Sequence, residues 1–119
     1  MILVSMVAVL FGIFALAPMR ASAAGEELGK KIFNQKCAAC HGVDGAGNAK
    51  AAQALKVTIP ALAAIAAKTD SELIKIIADG KKPMPSFKNL STEELEAVAH
   101  YAKALGTAHA PGKIGRAHV

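Results

Sequence analysis

Cys37-Ala38-Ala39-Cys40-His41 constrains this chain more than any other stretch of it. Two thiols three residues apart, with an imidazole directly after the second, form the attachment pattern for c-type haem. Positions i, i+3 and i+4 share one face of a helical turn. Cys37 and Cys40 can then both reach the vinyl groups along one edge of a porphyrin. His41 can direct its ring at the iron from the same side. A proximal His is a standard haem ligand, and the thioether bonds make the attachment permanent.

Three other chemistries use a C-x-x-C pair. A thioredoxin-like redox pair needs a βαβ context, and no strand pattern is present here. A zinc site needs further ligands, and the chain has two cysteines in all, so no second Cys pair can complete one. A disulfide between residues so close together would staple almost nothing. The histidine after Cys40 is required by none of these, and covalent haem c through Cys37 and Cys40 is the expectation.

The ends of the chain belong to other business. Met1 to Ala17 is apolar and uncharged, and Pro18-Met19-Arg20 leads into the small-residue run Ala21-Ser22-Ala23-Ala24. This is the pattern of a secretory signal peptide, placed at residues 1–23. The apolar run is short for a membrane span, which needs about 20 residues. The usual basic start is missing, which a truncated or misassigned beginning would explain; an uncleaved membrane anchor is the alternative. Export puts haem attachment in a bacterial periplasm, an oxidising compartment where haem consumes both thiols. Residues 108–119 are expected to be a flexible tail. Ile114-Gly115-Arg116-Ala117-His118-Val119 back-translates into the opening of a widely used short-read sequencing adapter. We read those six residues as read-through from an assembly fragment and assign His118 no role.

Residues 24–107 are left as one small domain with an unusual core. Phe33, Phe87 and Tyr101 are its aromatics, and there is no Trp. Domains of this size bury little apolar surface and often recruit a cofactor or a staple. Haem would supply the apolar body that the side chains do not.

Helical periodicity runs through the domain. Glu26 to Cys40 reads as an amphipathic helix with Leu28, Ile32 and Phe33 on one face. Gly42 to Gly47 breaks it with a tight loop. Asn48 to Lys56 reads as one irregular helical turn, Thr58-Ile59-Pro60 as extended chain, and Ala61 to Lys68 as a short Ala-rich helix. Thr69-Asp70-Ser71-Glu72 and Ser91-Thr92-Glu93-Glu94 are capping boxes. The first opens a helix over Leu73 to Asp79 that Gly80 closes. The second opens one that runs to Leu105 and stops at Gly106. The fold class is all-α, with four to five short helices.

A second axial ligand would decide whether such a site moves electrons or binds gases. Met1, Met6 and Met19 leave with the leader, so the mature chain keeps one methionine, Met84. It stands in Lys81-Lys82-Pro83-Met84-Pro85-Ser86-Phe87, where the prolines forbid a helix and stiffen the backbone. A pre-set loop presenting one thioether suits an axial ligand. The plainer alternative is an apolar gap-filler. His100, on the last helix, and His109, in the tail, are the competing ligands.

These parts together resemble a small bacterial monohaem cytochrome c of class I, over Glu26 to Gly106. The resemblance rests on Cys37-Ala38-Ala39-Cys40-His41, on Met84-Pro85 with Phe87 two residues later, and on the terminal helices. It implies the cytochrome c fold wrapped around one covalent haem. Its first and last helices would pack together through Gly29, Phe33 and Tyr101. It also implies His41 and Met84 as the axial pair, with the Pro60 carbonyl accepting a hydrogen bond from His41.

With both axial positions taken by protein, an enzyme is not expected. The expected function is that of a periplasmic one-electron carrier; the alternative is a haem subunit, or dedicated electron acceptor, of a periplasmic dehydrogenase or oxidase. An open-site haem enzyme or gas sensor would require that Met84 not ligate. Lys and Arg number 14 against 9 Asp and Glu, a net charge of +5. Lys30, Lys31, Lys36, Lys81, Lys82 and Lys88 lie near the two ligand segments, where a basic rim would steer an acidic redox partner. No nucleic-acid motif is present, and a monomer is expected, touching membrane only if its leader is retained.

Overall fold

The computed structural model describes Gly12 and residues 19–109, and every regular element among them is helical. The helices are α1 (Met19–Lys36), α2 (Ala38–His41), α3 (Ala49–Leu55), α4 (Asp70–Asp79) and α5 (Thr92–Ala108). A 3-10 turn covers Leu62–Ile65. The all-α expectation holds. Most of the expected leader, and the expected tail beyond His109, lie outside the described residues. No helix among the described residues is long and apolar enough to cross a membrane.

Both capping boxes form. The Thr69 hydroxyl accepts the Glu72 amide at 3.2 Å, and the Glu72 carboxylate accepts the Thr69 amide at 2.8 Å. Ser91 and Glu94 repeat the exchange at 3.1 and 2.8 Å. Each box satisfies two amides that a helix start leaves unpaired.

Four expectations about the elements need correction. The first helix spans Met19–Lys36 instead of Glu26 to Cys40, because Cys37 opens to φ −116° and the chain restarts as α2. The Cys37 carbonyl then accepts both the Cys40 and His41 amides, at 3.2 and 2.9 Å. The motif occupies a turn of its own. Second, residues 49–55 form a regular helix because Asn48 Oδ1 accepts the Lys50 and Ala51 amides at 3.0 and 3.2 Å. Third, the Ala-rich stretch tightens to a 3-10 turn, since the Leu62 amide is drawn to the Gly45 carbonyl at 2.8 Å. Fourth, Gly106 does not stop α5, which continues to Ala108.

The core is Ile32 and Phe33 from α1, Leu62 from the turn, Leu73 and Ile77 from α4, and Val98, Ala99 and Ala102 from α5. Helices α1 and α5 touch at backbone range, as expected. A Cβ on Gly29 would collide with the Ala97 carbonyl and lie 2.8 Å from the Tyr101 Cβ. Beside that crossing the Phe33 and Tyr101 rings meet at 5.4 Å between centroids, tilted by 54°, a favourable edge-inclined geometry.

Charged contacts brace the outside. Lys103 reaches from α5 to Asp70 at the start of α4, 2.9 Å away, and Lys75 meets Asp79 at 2.8 Å. Hydrogen bonds to Lys103 and Lys75 hold the Asp70 and Asp79 carboxyls below their ordinary range, and the Thr69 amide does the same for Glu72. A depressed folded-state pKa means that the unfolded chain binds more protons at acid pH. The stability these groups contribute is present above the usual carboxylate range and lost as pH falls through the folded values. Unfolding free energy, followed by circular dichroism, is expected to be level above about pH 5 and to decline below about pH 4. Lys103→Met is expected to flatten that decline.

Candidate haem-binding site

One end of α1, the turn of α2, the 3-10 turn, α4 with the loop after it, and α5 surround an apolar cavity. Phe33, Leu62, Leu73, Ile77, Val98 and Ala102 form its walls, and Ile65 and Ile76 extend them. Cys37, His41 and Met84 are the other lining residues. Three of the four residues singled out in the sequence therefore meet in one place. Cys40 is half-buried in α2, one turn beyond Cys37, and is not among the lining residues. His100 is exposed on α5 and His109 follows its last turn; neither lines the cavity.

Local backbone bonds fix the His41 side. The Gly47 amide donates to the His41 carbonyl at 2.7 Å, and the Asn48 amide to the Cys40 carbonyl at 2.9 Å. The loop from Gly42 to Gly47 thus closes over the carbonyl end of α2, satisfying groups that a helix end leaves free. Burial lowers the His41 pKa. The neutral imidazole, the form that binds metals, is favoured. Its Nδ1 is buried and has no hydrogen-bond partner, so the bond to the Pro60 carbonyl that the family resemblance implies is not made. Burial also pushes the Cys37 thiol up to about 11, against an opposing pull from Lys36. Before haem attachment it is a protonated thiol at neutral pH.

The Met84 side is a tight clamp on the end of α4. Gly80 turns the chain with φ +76°. The Met84 amide donates to the Lys81 carbonyl at 2.8 Å, and the Lys81 amide to the Met84 carbonyl at 3.1 Å. Ser86 Oγ donates to the Ala78 carbonyl at 2.6 Å, and the Phe87 amide to the Ile77 carbonyl at 3.1 Å. The backbone of Pro85 and Ser86 is pressed so closely on Gly80 that a Cβ there would lie 2.7 Å from both. Met84 is half-buried against the core while Lys81, Lys82, Pro83 and Pro85 are exposed. Sequence reasoning found the methionine and the prolines but missed Ser86 and the second duty of Gly80. A glycine after a helix signals a stop, and nothing local announces what will pack against it. Gly80→Ala is expected to lower stability by about 2 kcal/mol, from positive-φ strain and backbone collision together. Urea unfolding checks this.

Haem c fits these residues. The cavity is lined by apolar groups, two sulfur atoms and a half-buried imidazole whose buried Nδ1 is unpartnered. By contrast, no group of three or more His, Cys, Asp or Glu able to hold a bare metal ion occurs among the described residues.

Comparison with known proteins agrees. Residues 24–101 match the family model described as cytochrome c oxidase, cbb3-type, subunit III. Cytochrome c6 of Leptolyngbya boryana is 39% identical over 74 residues, covering 61% of this chain and 84% of that protein. Cytochrome c6 of Cyanidium caldarium is 37% identical over 75 residues, covering 63% of this chain and 66% of that protein. With its helical fold, its C-x-x-C-H turn and these relatives, the chain belongs to the cytochrome c family as a small class I monohaem member with covalently bound haem c.

Proposed function

We propose that this chain is a periplasmic one-electron carrier whose haem is tethered by Cys37 and Cys40 and held axially by His41 and Met84. The observation that carries this reading is the convergence of Cys37, His41 and Met84, from three separate segments, on one apolar cavity. When bound, the haem supplies a ferric/ferrous couple. The residues of the chain do the rest. His41 offers a neutral nitrogen, and the Lys81–Met84 turn holds a soft thioether, which favours the ferrous state. Leu62, Leu73, Ile77 and Val98 exclude water, which penalises the more highly charged ferric state and raises the potential further. Both axial positions are then filled from the protein, leaving no open position for substrate, and the chain is not an enzyme.

Lys81 and Lys82 precede Met84 in the same loop, are exposed and make no ion pair among the described residues. An acidic redox partner drawn to these charges would dock beside the Met84 loop, so association should slow as salt is raised. The matching family description, an oxidase subunit, favours one second reading: a dedicated acceptor or haem subunit of a larger assembly. A partner that co-purifies at fixed stoichiometry would select that reading over free diffusion.

The visible spectrum of the purified holoprotein, with a redox titration, tests the main proposal. A ferric band near the red end of the visible range, a single one-electron transition and no rapid carbon monoxide binding by the ferrous protein are expected. Rapid carbon monoxide binding would overturn it in favour of an open-site sensor or enzyme.

A further inference from the structure

Gly106 sits in the last turns of α5, fully helical and buried. Helix propensity does not account for it, because a mid-helix glycine is less stable than alanine by about 0.5–1 kcal/mol. Nor does helix termination, since α5 runs on to Ala108. What the position lacks is room. A Cβ there would collide with the Leu62 carbonyl, 2.7 Å from its carbon and 3.2 Å from the Ala63 amide nitrogen. Helix α5 and the 3-10 turn meet backbone to backbone at this glycine.

The turn seated in this way is a wall of the haem cavity, to which it contributes Leu62 and Ile65. Leu62 is gripped from the opposite side as well. Its amide donates to the Gly45 carbonyl at 2.8 Å. A Cβ on Gly45 would lie 2.9 Å from Leu62 Cδ1. Two residues further along the same loop, the Gly47 amide holds the His41 carbonyl. A continuous run of backbone contacts therefore leads from Gly106 through Leu62 and the Gly45–Gly47 loop to His41.

We propose that Gly106 is a positioning residue of the haem site: it sets how closely the Leu62–Ile65 wall closes on the His41 side, and so how far water is kept from the iron. It touches neither haem nor partner and acts only through the turn. The inference rests on the haem occupying this cavity, but not on Met84 being a ligand.

The test is Gly106→Ala in the full-length holoprotein. Pushing the turn outward admits water, which favours the ferric state. The reduction potential is expected to fall. The proton resonances of the His41 ring in the paramagnetic spectrum should shift, while the ferric band near the red end is retained. Ala104→Gly, an exposed site on the same helix, is expected to lower thermal stability without moving the potential. An unchanged potential and unchanged His41 resonances in Gly106→Ala, with only the melting temperature reduced, would overturn the proposal. If Gly106→Ala does not load haem, Leu62→Val, which trims the same wall, carries the test. A lower potential with the band retained supports the proposal, and an unchanged potential overturns it. The red band reports on Met84 and separates failure of that reading from failure of this one; the potential and the His41 resonances decide the role of Gly106.

Discussion

Replacing Met84 by alanine is expected to abolish the ferric band near the red end of the spectrum and to let the ferrous protein bind carbon monoxide rapidly. The reduction potential should fall on the order of 0.2 V, a modest part of the ~0.8 V span that axial ligands command. The direction follows from the donor. A thioether is soft and favours ferrous iron, and the water or hydroxide that would replace it is hard. Stability should change less. Met84 is half-buried, so its loss sits at the lower end of the range for truncating a core methionine, about 2 kcal/mol. Its loop should also survive. The Ser86–Ala78 and Phe87–Ile77 hydrogen bonds do not involve the side chain. A large spectroscopic change on a small stability change is the signature of a ligand. If Met84 were a gap-filler, the order would reverse: stability would drop while band and potential stayed in place.

How much of this site was legible depends on whether its cause was local. The capping boxes at Thr69 and Ser91 were readable because each is closed by residues three apart. The C-x-x-C-H turn was readable because its chemistry fixes its spacing. Met84 stood out because prolines on both sides leave few reasons to place a thioether there. The α1–α5 crossing was readable only through the family resemblance, since neither Gly29 nor Tyr101 says alone what it will meet. The Asn48 cap on the helix over Ala49–Leu55 is a local signal that was passed over; most of the other misses were tertiary in origin. The break at Cys37 interrupts a sequence with unbroken helical periodicity. The Leu62–Ile65 turn is tightened by Gly45, which lies in another loop. Gly106 carries the ordinary sign of a helix end, and its duty comes from the Leu62 backbone. The Pro60 carbonyl was assigned to His41 by analogy, and the buried Nδ1 is left without it. Those two residues belong to different segments, and their relative placement is written in no local pattern.

Gly29→Val is expected to be the most damaging substitution outside the haem ligands, and Gly29→Ala to damage in the same direction. Helix propensity alone argues the reverse, since alanine in place of a mid-helix glycine stabilises by about 0.5–1 kcal/mol. The crossing decides the sign. A first carbon on Gly29 already meets the Ala97 carbonyl, its carbon at 2.9 Å and the Tyr101 Cβ at 2.8 Å. Two of those atoms are backbone of α5, with no rotamer by which to move aside. The helices must separate instead, and the separation is felt at Phe33, 1% exposed and in tilted ring contact with Tyr101. Ordinary overpacking costs about 1–3 kcal/mol, and a collision with backbone belongs at or beyond the top of that range. For a domain of this size a loss of about 3 kcal/mol lowers the melting temperature by roughly 12–24 °C. Gly25 in the same helix has nothing within 4 Å of the corresponding position. Gly25→Ala is therefore expected to be neutral or slightly stabilising. Opposite signs at positions 25 and 29, read by thermal unfolding of the holoproteins, would show that α1 is limited by its contact with α5. Equal signs would return the argument to propensity.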